Sequence, residues 1–127
     1  MKTILITNNP MIHNKYSEIY EVDFKPNADQ SEILRTARDM IHTGSQLVSH
    51  PMAGRLKPHE SPYRTVVLNA AAGQSDYDSI MIIEYCIQAT EKDLRGAAYI
   101  KYDDTVLEDL QYIDMVLLDN VINEMEY

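Results

Sequence analysis

Several residue types are scarce in this chain, and each scarcity excludes a class of protein. The 127 residues contain one cysteine, no tryptophan and one phenylalanine. The single cysteine, Cys86, has no partner within the chain for a disulfide, so we expect a reducing compartment, the cytoplasm. The opening MKTILITNNP lacks the apolar core of a signal peptide. No apolar run approaches the ~20 residues that cross a membrane, and we therefore expect no membrane partner.

Positive charge is also scarce. Eleven Lys and Arg face 20 Asp and Glu, a formal net charge of −9. The imbalance is uneven, because residues 76–127 hold 13 acidic and 3 basic side chains, a net charge of −10. Such a field repels phosphate backbones, which argues against a nucleic-acid partner. The composition, 45% hydrophobic and 24% charged, is that of a globular chain, and its length suits one domain over residues 1–127.

The pattern of apolar residues predicts an α/β fold with elements in the order ββαββαβα. Predicted strands are β-branched runs bounded by turn residues, and predicted helices have apolar residues at helical spacing with capping residues at their ends. The expected strands are residues 2–7, 18–24, 46–49, 64–70 and 97–102, and the expected helices are residues 30–43, 77–95 and 103–125.

These elements predict a sheet of about five strands, mostly parallel or mixed, flanked by about three helices in two or three layers. Residues 64–102 should form a right-handed crossover between two parallel strands. Residues 79–87, SIMIIEYCI, leave a strand open as an alternative because they are apolar almost all round. A cap at Ser75 and a stop at Gly96 favour a helix there.

The terminal helix carries an unusually wide apolar stripe. Its members are Val106, Leu110, Ile113, Leu117, Val121, Leu118, Ile122 and Met125. A stripe of this width can serve the core and a second copy of the chain, so we expect a homo-oligomer through the 104–125 helix. The acidic residues of this helix, Asp114 among them, are interpreted as a solvated face.

The most distinctive segment is LVSHPMAGRLKPHESPYRTVVL, residues 47–68. Its three prolines stiffen a loop of 14 residues, longer than most connections, between two strands. A stiff loop holds donors in place before a small anionic metabolite or an acidic protein partner arrives. The candidate ligand-binding residues are His50, Arg55, Lys57, His59, Tyr63 and Arg64, with Arg55 and Lys57 expected to be exposed. The alternative is a rigid surface crossover whose basic residues balance an acidic chain.

Asn8 and Asn9 complete the candidate set. They follow the first predicted strand, and ligands of open α/β sheets bind outside the carboxyl ends of strands. If the first and third strands are parallel, both asparagines should emerge at the same edge as His50. A simple turn formed by TNNP is an equally good interpretation.

Catalytic residues stay unassigned. The four histidines lack metal-binding spacing, and NAAAGQS, residues 69–75, lacks both glycine-rich nucleotide motifs, so we expect no metal and no cofactor. Cys86 fits a buried apolar position better than a reactive one. Two alternatives to a binding protein remain: a small hydrolase or transferase that uses His50 or His59 as acid and base, and a structural homodimer without a ligand site.

The opening ILITNNP, the central SHPMAGRLKPHESPYRTVVL and the overall length resemble the GrdX family. Its members are small proteins encoded beside the glycine, sarcosine and betaine reductase systems of amino-acid-fermenting anaerobes. The resemblance implies a cytoplasmic accessory role near selenium-dependent amino-acid reduction. It implies no reaction and no catalytic residue, and this chain has no cysteine pair of its own for redox chemistry.

Overall fold

The computed structural model describes residues 2–70, 76–98 and 100–125. Four strands, four α-helices and one turn of 3-10 helix make up the described chain. In chain order they are β1 (Lys2–Thr7), α1 (Pro10–Tyr16), β2 (Glu21–Phe24), α2 (Gln30–His42), β3 (Gln46–Leu47), the 3-10 turn (Pro58–Glu60), β4 (Thr65–Ala70), α3 (Tyr77–Gly96) and α4 (Asp104–Met125).

The strands form one mixed sheet in the order β2-β1-β4-β3. β1 runs parallel to β2, whereas β4 is antiparallel to both of its neighbours. The mixed alternative of the sequence prediction is therefore confirmed, with four strands instead of five. Thr7 at the end of β1 pairs with Thr65 at the start of β4, so the loops after β1 and before β4 leave the sheet at one edge.

Side chains alternate across the sheet and build two cores. Ile4 and Ile6 of β1 pack in a cluster with buried residues of α2 and α3. Leu5, between them, packs on the other face with residues of α1 and α4, including Leu118. The result is a three-layer arrangement with α2 and α3 on one face of the sheet and α1 and α4 on the other.

The predicted fifth strand is wrong. Among residues 97–103, all described except residue 99, no strand forms, and the predicted parallel crossover is therefore wrong as well. The described residues of this segment make an irregular connection from α3 to α4, and five of them line a cavity: Ala97, Ala98, Ile100, Lys101 and Tyr102. The Tyr102 hydroxyl donates to the Glu60 carbonyl 3.0 Å away, so the segment is held by the central loop and not by a strand.

Helix α1 was not predicted, because TNNP was interpreted as a turn. Asn9 is its N-cap, with the side-chain oxygen accepting from the Met11 backbone N–H at 3.0 Å, and Pro10 occupies the first turn. Buried Ile12 and Tyr16 lie one turn apart. The predicted strand over 18–24 shortens to Glu21–Phe24 because α1 and the turn after it take up the preceding residues.

The predictions for α2 and α3 are confirmed. The capping box of Asp29 and Glu32 begins α2, and Gly44, at φ 116°, follows its end. The segment 79–87 is helical within α3. The cap of α3 is Asp76 and not Ser75, which lies outside the described residues.

In α4 the buried positions are Leu110, Asp114, Leu118 and Ile122, spaced one turn apart. The predicted stripe was centred on Ile113 and Leu117, whereas the buried face is centred on the next residues along the chain, Asp114 and Leu118. Ile113, a member of that stripe, is 40% exposed. The assignment of Asp114 to a solvated face is wrong, since it is 7% exposed.

Candidate functional site

The central loop folds back onto the residue that follows β1. Asn8 Nδ2 donates to the Pro62 carbonyl at 2.9 Å and to the Ala28 carbonyl at 3.0 Å, and its Oδ1 accepts from the Arg64 backbone N–H at 3.0 Å. One amide side chain thus joins the end of β1, the start of α2 and the loop before β4. The loop is thereby fixed along the carboxyl edge of β1 and β2.

A cavity of about 720 Å³ lies at this edge. Its walls come from the start of α2, the 3-10 turn and the connection between α3 and α4, and its volume falls within the ~300–1,000 Å³ of small-molecule sites. Apolar lining residues include Pro58, Leu94, Ile100 and Leu107. The polar lining residues are Asn8, Asn27, Asp29, Gln30, His59, Ser61, Tyr63, Lys101 and Tyr102. Few of these are charged, so the chemistry of the site is mainly apolar with local polar contacts.

His59 is the lining residue best placed for acid–base chemistry or ligand binding. Its Nδ1 lies 2.9 Å from Asp93 Oδ2, and its backbone N–H donates to the same oxygen at 2.8 Å. The His59 contact lowers the pKa of Asp93 below its ordinary value, through the side-chain hydrogen bond above all. A carboxylate at Nδ1 fixes the ring and favours the tautomer whose Nε2 is an acceptor. Nε2 has no hydrogen-bond partner within the chain segments that the structure describes, and so remains open to a ligand.

Arg64 does not face the cavity but supports its wall. It is 2% exposed, and its Nε and Nη2 donate to Gln30 Oε1 at 3.1 and 2.8 Å while Nη1 donates to the Pro51 carbonyl at 2.9 Å. Gln30 in turn donates to the carbonyls of Pro58 and Ser61. Burial lowers the pKa of Arg64 to about 10, with repulsion from Arg55 the second cause, so it stays protonated at neutral pH.

Arg55 and Asp114 form a second buried polar cluster. Arg55 Nη1 lies 3.4 Å from Asp114 Oδ1, and both side chains are less than 10% exposed. Asp114 Oδ2 accepts from Asn9 Nδ2 at 3.0 Å and from the Thr65 hydroxyl at 2.8 Å. Burial lowers the pKa of Arg55, and Asp114 opposes that shift. This cluster ties the central loop, β4 and the N-cap of α1 to α4.

The structure divides the eight predicted site residues into three groups. Asn8, His59 and Tyr63 line the cavity. Asn9, Arg55 and Arg64 lie in the buried clusters, so the expectation that Arg55 is exposed is wrong. Lys57 is exposed as expected, and His50 is half-buried, with its Nδ1 accepting from the Met52 backbone N–H at 3.1 Å.

Three residues that hold the site together were absent from the sequence-based set. Asp114 carried a usable signal, because it lies four residues from both Leu110 and Leu118 and so shares their helix face. Gln30 had a weaker one, since it follows the capping residue Asp29 directly. Asp93 had none: its contact with His59 joins positions 34 residues apart.

The His, Cys, Asp and Glu residues of the described chain form no cluster that would hold a metal ion. Cys86 is fully buried, and burial raises the pKa of its thiol to about 11, which matches the buried apolar role expected from the sequence. No described helix combines the length and apolarity needed to cross a membrane.

Comparison with known proteins gives one result. The family model described as GrdX-like protein matches residues 4–123, nearly the whole chain. The chain belongs to the GrdX-like family. No curated protein and no solved structure matches it. The match spans ILITNNP and the central loop, the two segments that carried the resemblance. All residues that line the cavity also lie within the matched range.

Proposed function

We propose that this GrdX-like protein binds a small organic acid in the cavity at the carboxyl edge of β1. The observation that carries the proposal is the cavity itself, about 720 Å³ with His59 in its wall. The loop backbone in its wall is held by the lining residues Asn8 and Gln30, and Gln30 is held in turn by buried Arg64. A site whose wall is fixed before binding loses little entropy when the ligand arrives.

The lining suggests the chemical class of the ligand. Leu94, Ile100 and Leu107 offer an apolar surface to a hydrocarbon body. The ammonium group of Lys101 offers hydrogen-bond donors to a carboxylate, and His59 offers a further donor at Nε2 when both of its ring nitrogens carry a proton. The anion-binding role that the sequence assigned to the loop arginines thus passes to His59 and Lys101, with Arg64 as a supporting residue.

Membership of the GrdX-like family supports a proposal for the cellular context of this binding. The resemblance to proteins encoded with the glycine, sarcosine and betaine reductase systems supports an accessory role in the cytoplasm, where carboxylate-bearing amino acids are abundant substrates. A single buried cysteine offers no redox pair, so we propose that the protein binds a substrate, product or regulator of such a system and does not take part in electron transfer.

Catalysis is a second candidate, and the contact between His59 and Asp93 favours it. An imidazole oriented by a carboxylate at Nδ1 is the arrangement of a general base. In that case the bound acid would be turned over and not merely held. The two functions differ in one respect: substitution of His59 would abolish turnover in an enzyme, whereas in a binding protein it would weaken affinity alone.

The test is a thermal-shift screen of amino acids, short carboxylates and phosphates, followed by calorimetry of any compound that raises the melting temperature. His59→Asn keeps a donor for Asp93 and removes Nε2, so it should weaken binding of a carboxylate about tenfold or more. His42→Asn is the matched control, because His42 lies at the opposite end of α2 from the cavity. Equal affinity of both variants would exclude His59 from the site, and a screen without any stabilising acid would refute the proposal.

A further inference from the structure

A second, much smaller cavity lies behind the wall of the first. Its volume is about 20 Å³, and Arg55, Arg64, Ser61, Tyr63 and Asp114 are among its lining residues. Ser61 and Tyr63 line both cavities and so separate them. A space of this size holds one water-sized occupant, since about 10–15 Å³ suffices for one water. We call it the arginine chamber.

The charges around the arginine chamber do not balance. Two buried guanidinium groups share one carboxylate, that of Asp114, among the described lining residues. The hydrogen-bond acceptors of Arg64, Gln30 Oε1 and the Pro51 carbonyl, are neutral. Asp114 is already engaged by Asn9 and Thr65 in addition to Arg55. One positive charge is left without a counter-charge, and because Arg64 is 2% exposed and the Arg55 side chain 5% exposed, an unpaired charge on either is costly.

Two of the lining residues, Ser61 and Tyr63, carry hydroxyl groups. The Ser61 oxygen accepts from the Tyr63 backbone N–H at 3.1 Å, and the Tyr63 oxygen accepts from Gln111 Nε2 at 2.7 Å. Each hydroxyl therefore keeps its own hydrogen to donate, and in the described chain neither hydrogen has an acceptor. The lining residues thus carry two O–H groups and two guanidinium groups as donors, against a single carboxylate, that of Asp114, as a charged acceptor.

We propose that the arginine chamber binds a single monatomic anion, a halide such as chloride. An anion there would balance the excess positive charge and accept from Arg55, Arg64, Ser61 and Tyr63 together. A volume of about 20 Å³ fits a single atom better than it fits the several oxygens of a phosphate, sulfate or carboxylate group. This proposal is independent of the organic acid in the larger cavity. It gives the basic central loop a structural anion that fixes the wall between the two sites.

The test measures stability against halide concentration at constant ionic strength, with sodium gluconate replaced stepwise by sodium bromide. Gluconate is too large for the chamber, so the urea midpoint should rise with bromide and saturate, as it does for a ligand that binds the folded state. Tyr63→Phe removes one donor and should weaken the apparent bromide affinity about tenfold. Tyr102→Phe, the same chemical change on the wall of the larger cavity, should leave it unchanged.

Crystals grown in sodium bromide provide a direct measurement, because bromide scatters anomalously. An anomalous peak between the guanidinium groups of Arg55 and Arg64 is expected. Water at that position without anomalous signal would overturn the proposal, as would a urea midpoint that does not change with bromide concentration. Ser61→Ala supplies a second donor deletion in case Tyr63→Phe fails to fold, and it should lower the bromide affinity in the same direction.

Discussion

At the scale of single residues, the buried charged side chains of Asp114 and Arg64 hold distant parts of the fold together, whereas the exposed side chains of the central loop do not. Each connects segments that are distant in sequence. Asp114 of α4 contacts the N-cap of α1, the start of β4 and the central loop. Arg64 contacts the start of α2 and the Pro51 carbonyl. Both are charged and buried, so their partners decide whether they stabilise the fold or destabilise it.

Removal of Asp114 should be severe. Asp114→Ala leaves Arg55 without its carboxylate and removes one acceptor from Asn9 Nδ2 and from the Thr65 hydroxyl, and we expect a loss of about 3–5 kcal/mol in the free energy of unfolding by urea. Asp109→Ala, on an exposed position of the same helix, should change it by less than about 0.5 kcal/mol. Adding Arg55→Met to Asp114→Ala should recover part of the loss, because it removes the unpaired charge. A single variant as stable as the Asp109 control would show that the cluster contributes nothing.

At the scale of elements, sequence patterns located what local chemistry determines and missed what distant contacts determine. The capping box of α2 and the spacing within α3 are local, and both helices were predicted. The segment after α3 has the composition of a strand, but it lines the cavity instead, and only the tertiary fold could show that. Asn9 and Pro10 did carry a local helix-start signal, which the turn interpretation overlooked.

The same distinction applies to the site. The central loop was recognised from its prolines and basic residues, and Asn8, His59 and Tyr63 of the predicted set do line the cavity. Residue type could not separate an arginine that faces a ligand from one buried behind the wall. Arg64 can be buried because the side-chain oxygen of Gln30, 34 residues away, accepts a hydrogen bond from its guanidinium group. Long-range pairing of this kind leaves no spacing in the sequence.

Helix α4 has two apolar faces, and they should respond differently to charge. Leu118 is fully buried in the core, whereas Ile113 and Val116 are 40% and 37% exposed. A homodimer through α4 remains a prediction, and the exposed face is where it would form. Val116→Glu, on the exposed face and outside the arginine chamber, should therefore give the monomer mass of 14.6 kDa in light scattering while leaving the urea midpoint of the monomer nearly unchanged. Wild-type protein that is already monomeric at high concentration would rule out this dimer.

At the scale of the whole molecule, α3 is held against its neighbours partly by two carboxylates with lowered pKa. Hydrogen bonds from Arg35 and Ser31 of α2 lower the pKa of Glu91, and the contact with His59 lowers that of Asp93. One contact secures α3 to α2, and the other secures it to the 3-10 turn and the cavity wall. Acid should loosen both attachments together, although both groups are solvent-accessible and screened.

The sign of this effect follows from linkage. A carboxyl with a lower pKa in the folded state releases its proton more readily there, so the unfolded chain binds more protons as pH falls. The stabilisation is complete above the unfolded values, about 4 for Asp and Glu, and disappears as pH falls through the lower folded values. We expect the urea midpoint to decline below about pH 4.5. A Glu91→Gln, Asp93→Asn double variant should be less stable at pH 7 and decline less steeply with acid. Glu108→Gln, Asp109→Asn, which removes two exposed charges from α4, should keep the wild-type slope, and identical slopes for all three proteins would show that these attachments do not set the acid limit.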